Sequence, residues 1–82
     1  MITEIHEPVV VSAEFGNGIF RIRKIVWKNI SIQVQKITFR WHSRRNIFPL
    51  YHFAVSDGGR ILELTLDTES LSWELERIHI EG

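Results

Sequence analysis

The chain has 82 residues, of which 44% are hydrophobic and 24% charged, with nine aromatic residues and no cysteine. This suits one small domain over residues 1–82 that buries roughly 64% of its unfolded surface, and it excludes intrinsic disorder, a disulfide framework and thiolate chemistry. The net charge is zero, and apolar runs such as Val9-Val10-Val11 are too short for a membrane span or a secretory signal, so a cytoplasmic protein with no membrane partner is expected.

The hydrophobic period is two along nearly the whole chain, the pattern of half-buried strands. Val9, Val11, Ala13 and Phe15 alternate with Val10, Ser12 and Glu14, behind Pro8 at the strand start, where a missing N–H is tolerated. Asn17-Gly18 then signals a two-residue type I′ hairpin, because both positions need positive φ. That turn sets Phe15 opposite Phe20 and Glu14 opposite Arg21. The strand from Ile19 to Trp27 breaks parity at Arg23-Lys24, the mark of a β-bulge. Lys28-Asn29 makes the next turn and pairs Trp27 with Ile30 and Ile25 with Ile32. A third strand is expected from Ile30 to Trp41, with a parity break at Gln35-Lys36 and with Ile37, Phe39 and Trp41 inward. Breaks close together on neighbouring strands bend a sheet toward a barrel.

From His42 to Pro49 the chain reads as a loop carrying Arg44 and Arg45, the longest irregular stretch. Tyr51, Phe53 and Val55 point inward from a fourth strand. Asp57-Gly58-Gly59 makes a hairpin, through either Asp57-Gly58 or Gly58-Gly59, into a fifth strand with Leu62, Leu64 and Leu66 inward. A polar turn from Asp67 to Ser70 leads to Leu71, Trp73 and Leu75. Parity breaks again at Glu76-Arg77 before Ile78 and Ile80. A short helix over the stretch from Asp67 to Ile80 fits less well than a bulged strand. The expected fold is therefore all-β, an antiparallel up-and-down meander of about six strands curled into a small barrel or half-barrel. A flat sheet could not bury Trp27, Trp41 and Trp73 together. The first and last strands are its open edges unless they pair with each other.

The spacing Trp27-Lys28-Asn29-x-x-Ile32-x-Val34, then Trp41, Phe53-x-Val55, Asp57-Gly58, Glu63-Leu64, Asp67 and Trp73-x-Leu75 resembles a family of short bacterial all-β domains of unknown function. Its members read W-x-G-x-x-Y-x-V, a later W, F-x-V, D-G, E-L-x-x-D and W-x-L. The match covers about residues 8–80. Asn29 stands where that family has glycine, in keeping with a left-handed turn residue, and Ile32 stands where tyrosine is usual. The resemblance implies the all-β fold and carries no activity with it.

Charge is the feature that points to function. Residues 19–52 hold Arg21, Arg23, Lys24, Lys28, Lys36, Arg40, Arg44 and Arg45 and no acid, while the flanks hold all ten acids with only Arg60 and Arg77. The plain reading is that basic strands pair with acidic neighbours; the other is a basic binding face. No phosphate loop, nucleophile elbow or metalloprotease motif is present, so no enzyme activity, catalytic residue, cofactor or metal is expected. His42 and His52 are expected outward on adjacent strands, but a metal site needs three or four converging ligands. An outward stripe of Arg21, Arg23, Thr38, Arg40 and His42, continued by Lys36, Arg44 and Arg45, suits phosphates, and Phe48 is the nearby aromatic expected to be partly exposed. Trp41 and Tyr51 share inward parity and read as core. The expectation is a non-enzymatic binding module that takes an anionic partner such as nucleic acid through Arg21, Arg23, Lys36, Arg40, His42, Arg44, Arg45 and Phe48. The alternative is a protein-interaction or self-associating domain, a homodimer for instance, that uses its charge asymmetry.

Overall fold

A computed structural model describes residues 1–80. Seven antiparallel strands are present: β1 (Ile2–Gly16), β2 (Ile19–Trp27), β3 (Ile30–Gln33), β4 (Lys36–Arg45), β5 (Phe48–Ser56), β6 (Arg60–Asp67) and β7 (Ser72–Ile80). They form one sheet in the order β3-β2-β1-β7-β6-β5-β4. No helix is long and apolar enough to cross a membrane among these residues.

The turns follow from the residues that tolerate positive φ. Asn17 and Gly18 sit at φ 52° and 76°, and the hairpin they make sets Phe15 against Phe20 and Glu14 against Arg21. Lys28 and Asn29 at φ 49° and 64° pair Trp27 with Ile30. At the β5–β6 turn Gly58-Gly59 holds the centre, and Asp57 Oδ1 accepts from the Gly59 and Arg60 N–H groups at 3.0 and 2.7 Å. Bulges fall at both parity breaks within single strands. Ser12 pairs with Lys24 but Ala13 with Ile22, leaving Arg23 as the extra residue. Glu63 pairs with Arg77 but Leu64 with Leu75, leaving Glu76 as the other.

Four expectations need correction. The strand from Ile30 to Trp41 is two strands, because the chain leaves β3 at Val34-Gln35. There the Val34 N–H donates to the Arg23 carbonyl (2.9 Å) and the Gln35 N–H to the Ser56 carbonyl (2.8 Å), so adjacent residues bond to opposite limbs of the sheet. Second, β1 and β7 are not edges: they pair from Ile2↔His79 to Val9↔Trp73. The edges are β3 and β4, so the sheet curls without closing. Third, the expected loop from His42 to Pro49 is a tight hairpin, with Arg45 opposite Phe48 and Asn46 at φ 55°. Fourth, Leu71 lies exposed in the β6–β7 turn rather than inward.

The concave face carries the core. Ile22, Ile25, Ile32, Phe53, Val55, Leu62, Leu64, Leu75 and Ile78 are buried, with Trp27, Trp73, Val9 and Val11 packed against them. The Trp27 indole N–H donates to Glu7 at 3.0 Å, which satisfies its one polar atom at the rim. The accessible surface is 5631 Å², about a tenth above the ~5,100 Å² that size scaling gives for a compact chain of this mass. The excess follows from an open sheet whose β4 is exposed along most of its length. Leu64 is fully buried at the middle of β6. Leu64→Ala is expected to lower stability by about 2–5 kcal/mol, seen as a fall in the urea midpoint at unchanged slope.

Candidate functional site

The side chains of interest gather where the sheet fails to close. From the Val34-Gln35 crossing onward, β2 and β4 run past each other with no ladder between them. The resulting groove encloses about 300 Å³, and Arg21, Arg23, Lys36 and Arg40 all line it. The sequence reading sets these four in one outward stripe on neighbouring strands; here β2 and β4 are not paired, and the curl of the sheet brings the four to an open seam. Arg23 is held by Glu14 at 3.2 Å. Arg21, Lys24, Lys36, Arg40 and Arg44 have no carboxylate within 4 Å among the described residues. Of the eight cations between residues 19 and 52, only Arg23, Lys28 and Arg45 are paired, with Glu14, Glu7 and Asp67. Cross-strand pairing thus accounts for the minority of the basic segment.

The groove leads into a second, apolar recess of about 420 Å³ at the open mouth of the half-barrel. Arg40 lines both. The recess is walled by Phe15, Phe20, Tyr51, Phe53 and Leu66, with Arg40, Trp41 and His42 of β4 along its rim. Its rings form a chain inward: Phe15 to Phe20 at 4.7 Å between centroids, Phe20 to Phe53 at 5.2 Å and Phe53 to Trp73 at 5.7 Å. The inner end is core and the outer end is wet, for Phe53 is 7% exposed and Phe15 80%. Tyr51, read from parity as core, is 43% exposed at this mouth.

A bulge that the parity does not announce places Arg40 and His42 here. Ile37 pairs with Val55 and Phe39 with Ala54, so Thr38 is the extra residue, its hydroxyl donating to the Ala54 carbonyl at 3.1 Å. The inward face passes to Arg40, opposite Phe53, and His42, opposite Tyr51. The expected outward placement of Arg40 and His42 is therefore reversed, and so is the inward placement of Phe39 and Trp41. Those two aromatics stand on the convex face, 64% and 36% exposed, with Trp41 stacked on the His52 ring at 5.2 Å. His42 and His52 lie on opposite faces and cannot share a ligand. The His52 ring bonds to Ser43 (2.7 Å) and Thr65 (3.0 Å), and burial holds it below the usual imidazole range. Arg44 and Arg45 sit near the tip of the β4–β5 hairpin; Arg45 turns outward to Asp67 at 2.7 Å, and Phe48 is half-buried beside it.

A separate cluster lies where β1 meets β7. Bulges at His6, with φ 53°, and at Glu76 bring His6, Glu74 and Glu76 together, with one ligand atom of each within 4.8 Å of the others. His6 itself bonds to Glu4 at 2.8 Å. The sequence signals for this cluster are the i, i+2 spacing of Glu74 and Glu76, which reads as a solvated face, and the Glu76-Arg77 parity break beside it. A hydrogen bond with Glu76, burial and the charge of Glu76 push the Glu74 carboxyl above its usual range. A carboxyl raised on folding contributes stability at low pH that is lost as pH rises through its folded value. Glu74→Gln removes that loss while keeping a donor toward Glu76. It is expected to raise the urea midpoint at neutral pH, by less than about 1 kcal/mol after solvent screening, with the gain vanishing below the carboxylate range. Comparison of the chain with protein-family models, with curated proteins and with solved structures found no match in any of the three.

Proposed function

We propose that the protein is a non-enzymatic binding module that takes nucleic acid along the open seam between β2 and β4. The observation that carries this reading is the set of cations left without acids at one groove. Arg21, Lys36 and Arg40 line it unpaired, beside Arg23. A cation that faces a cation across a groove, in a chain with as many acids as bases, leaves a local field that the zero net charge hides. Phosphates neutralise such a field and release condensed counterions, so binding should fall steeply with salt. Arg44, at the hairpin tip, extends the same sign of charge beyond the groove, while Arg45 is already committed to Asp67.

A second reading is a protein contact through β4. It is supported by the unpaired edge of that strand and by Phe39, 64% exposed on its convex face. Pairing of β4 with a second copy about Arg40 would set Arg40 against itself and Lys36 against Arg44, and like charges directly opposite destabilise a ladder. That geometry favours an acidic partner strand over a homodimer.

The deciding measurement is fluorescence anisotropy with labelled oligonucleotides at ~50 and ~200 mM salt. Binding at the lower salt that collapses at the higher is expected. The triple variant Arg21→Ala, Lys36→Ala, Arg40→Ala should lower the slope of log affinity against log salt by about 2, each phosphate contact contributing ~0.7–0.9. Arg45→Ala should leave that slope unchanged. Silence at both salts, or a triple variant that binds as the parent does, rejects the seam, and sedimentation with acidic peptides then tests the second reading.

A further inference from the structure

We propose that the aromatic mouth holds one unpaired nucleobase of a single strand whose phosphates lie along the basic seam. This rests on the seam reading above and names which nucleic acid the site takes. Arg40 is the one cation, among the described residues, that lines both the groove and the recess. A ligand that meets its guanidinium as a phosphate has its next atoms at the edge of the apolar mouth. Those atoms must suit aromatic walls with polar groups confined to one rim.

The walls define what fits. Phe15, Phe20, Tyr51 and Phe53 supply ring faces and edges, and Arg40, His42 and the Tyr51 hydroxyl supply the polar atoms. A nucleobase has that pattern: two π-faces for stacking and one edge of donors and acceptors. The volume of about 420 Å³ is enough for a ring system of that size with room for its sugar at the mouth. A duplex keeps its bases paired and stacked on each other, so it brings only backbone to this surface and leaves the recess empty. A polyphosphate or a sulfated polysaccharide satisfies the seam equally well and likewise has nothing to insert.

The exposure of Phe15 is the second observation. A phenylalanine 80% exposed at the end of an otherwise consistent ring chain stabilises the fold little where it stands. Its ring meets that of Phe20 at a tilt of 43° and is otherwise in water. Its position at the rim is that of a stacking platform, and the hairpin that carries it, Asn17-Gly18, fixes it by backbone geometry rather than by packing. Charge beside the rings completes the combination by which single strands are bound without strong sequence preference.

The test compares a thymidine oligonucleotide of about twelve nucleotides, within the usual site size, with an abasic deoxyribose-phosphate chain of the same length and with a duplex. All three are titrated at ~50 mM salt, with anisotropy and tryptophan emission as readouts. The base-bearing single strand is expected to bind roughly 5- to 100-fold more tightly than the abasic chain, the range one stacked base contributes. Phe15→Ala, at a residue the fold barely uses, should remove most of that difference and leave abasic affinity unchanged. Equal affinity for the two single-stranded chains, or tighter binding of the duplex, overturns the base pocket while leaving the seam in place. Failure of all three to bind removes the seam and the pocket together. The comparison of ligands uses the unaltered protein, so it decides the matter whether or not the variant folds.

Discussion

The first and last strands lie side by side in the middle of the sheet. β1 pairs with β7 over most of its first half and with β2 over its second, and the Met1 ammonium and the Ile80 N–H each find the other residue's carbonyl, at 2.9 and 2.8 Å. Closing a loop of nearly the full chain length costs entropy that grows only with the logarithm of length, so a long ladder offsets it readily. With β1 and β7 joined, the edges of the sheet fall on β3 and β4. The remaining neighbours are all joined by short hairpins except β3 and β4, which follow one another through the Val34-Gln35 crossing. The seam lies there for topological reasons, and everything offered at the seam depends on that one pairing.

The convex face shows how the acids are used up. Arg77 lies between Glu4 and Glu63, with hydrogen bonds of 2.9 and 2.6 Å, and His79 adds a further bond to Glu63. The guanidinium bond draws the Glu4 carboxyl below its usual range, and the two carboxylates raise Arg77. At the β5–β6 turn burial pushes Asp57 up, but the backbone donors of Gly59 and Arg60 and the Arg60 guanidinium outweigh it and leave it lowered. These contacts satisfy acids of β1, β6 and the β5–β6 turn with the two arginines of the C-terminal third. The cations of β2 and β4 are left facing the gap because their topological neighbours across it carry the same sign.

Local signals were legible and nonlocal ones were not. Both two-residue turns, the cross-strand partners of Phe15, Trp27 and Ile25, and the bulges at Arg23 and Glu76 follow from parity and turn chemistry alone. Such features depend on residues a few positions apart. The Thr38 bulge left no trace, because Ile37-Thr38-Phe39 reads as regular alternation whichever face each side chain takes. That single residue turns the Arg40 and His42 side chains to the concave side, so the outward stripe expected from parity has them on the wrong face. The stretch from His42 to Pro49 reads as irregular because the side chains from His42 to Asn46 are polar on both faces. They are polar on both faces because β4 is an edge strand exposed almost throughout, which burial-based patterning cannot register.

The same exposure explains why the barrel stays open. To close, β4 would have to pair with β2, and a ladder continuing the β2–β3 register would set Lys36 opposite Arg21, with Arg23 and Arg40 along the same seam and Glu14 as the acid at hand. Like charges placed opposite each other weaken a ladder, and they do so more as water leaves the space between them. The hydrogen bonds gained on closure would be offset by that repulsion together with the desolvation of four cations. The Val34 N–H reaches Arg23 at the narrow end because there the backbone turns away before the side chains meet. Beyond it the limbs diverge around a strip of positive potential with an aromatic floor at its end. On the proposed reading, a polyanion lying in that strip would supply the opposite charge, so the repulsion that keeps the two limbs apart would also favour its binding.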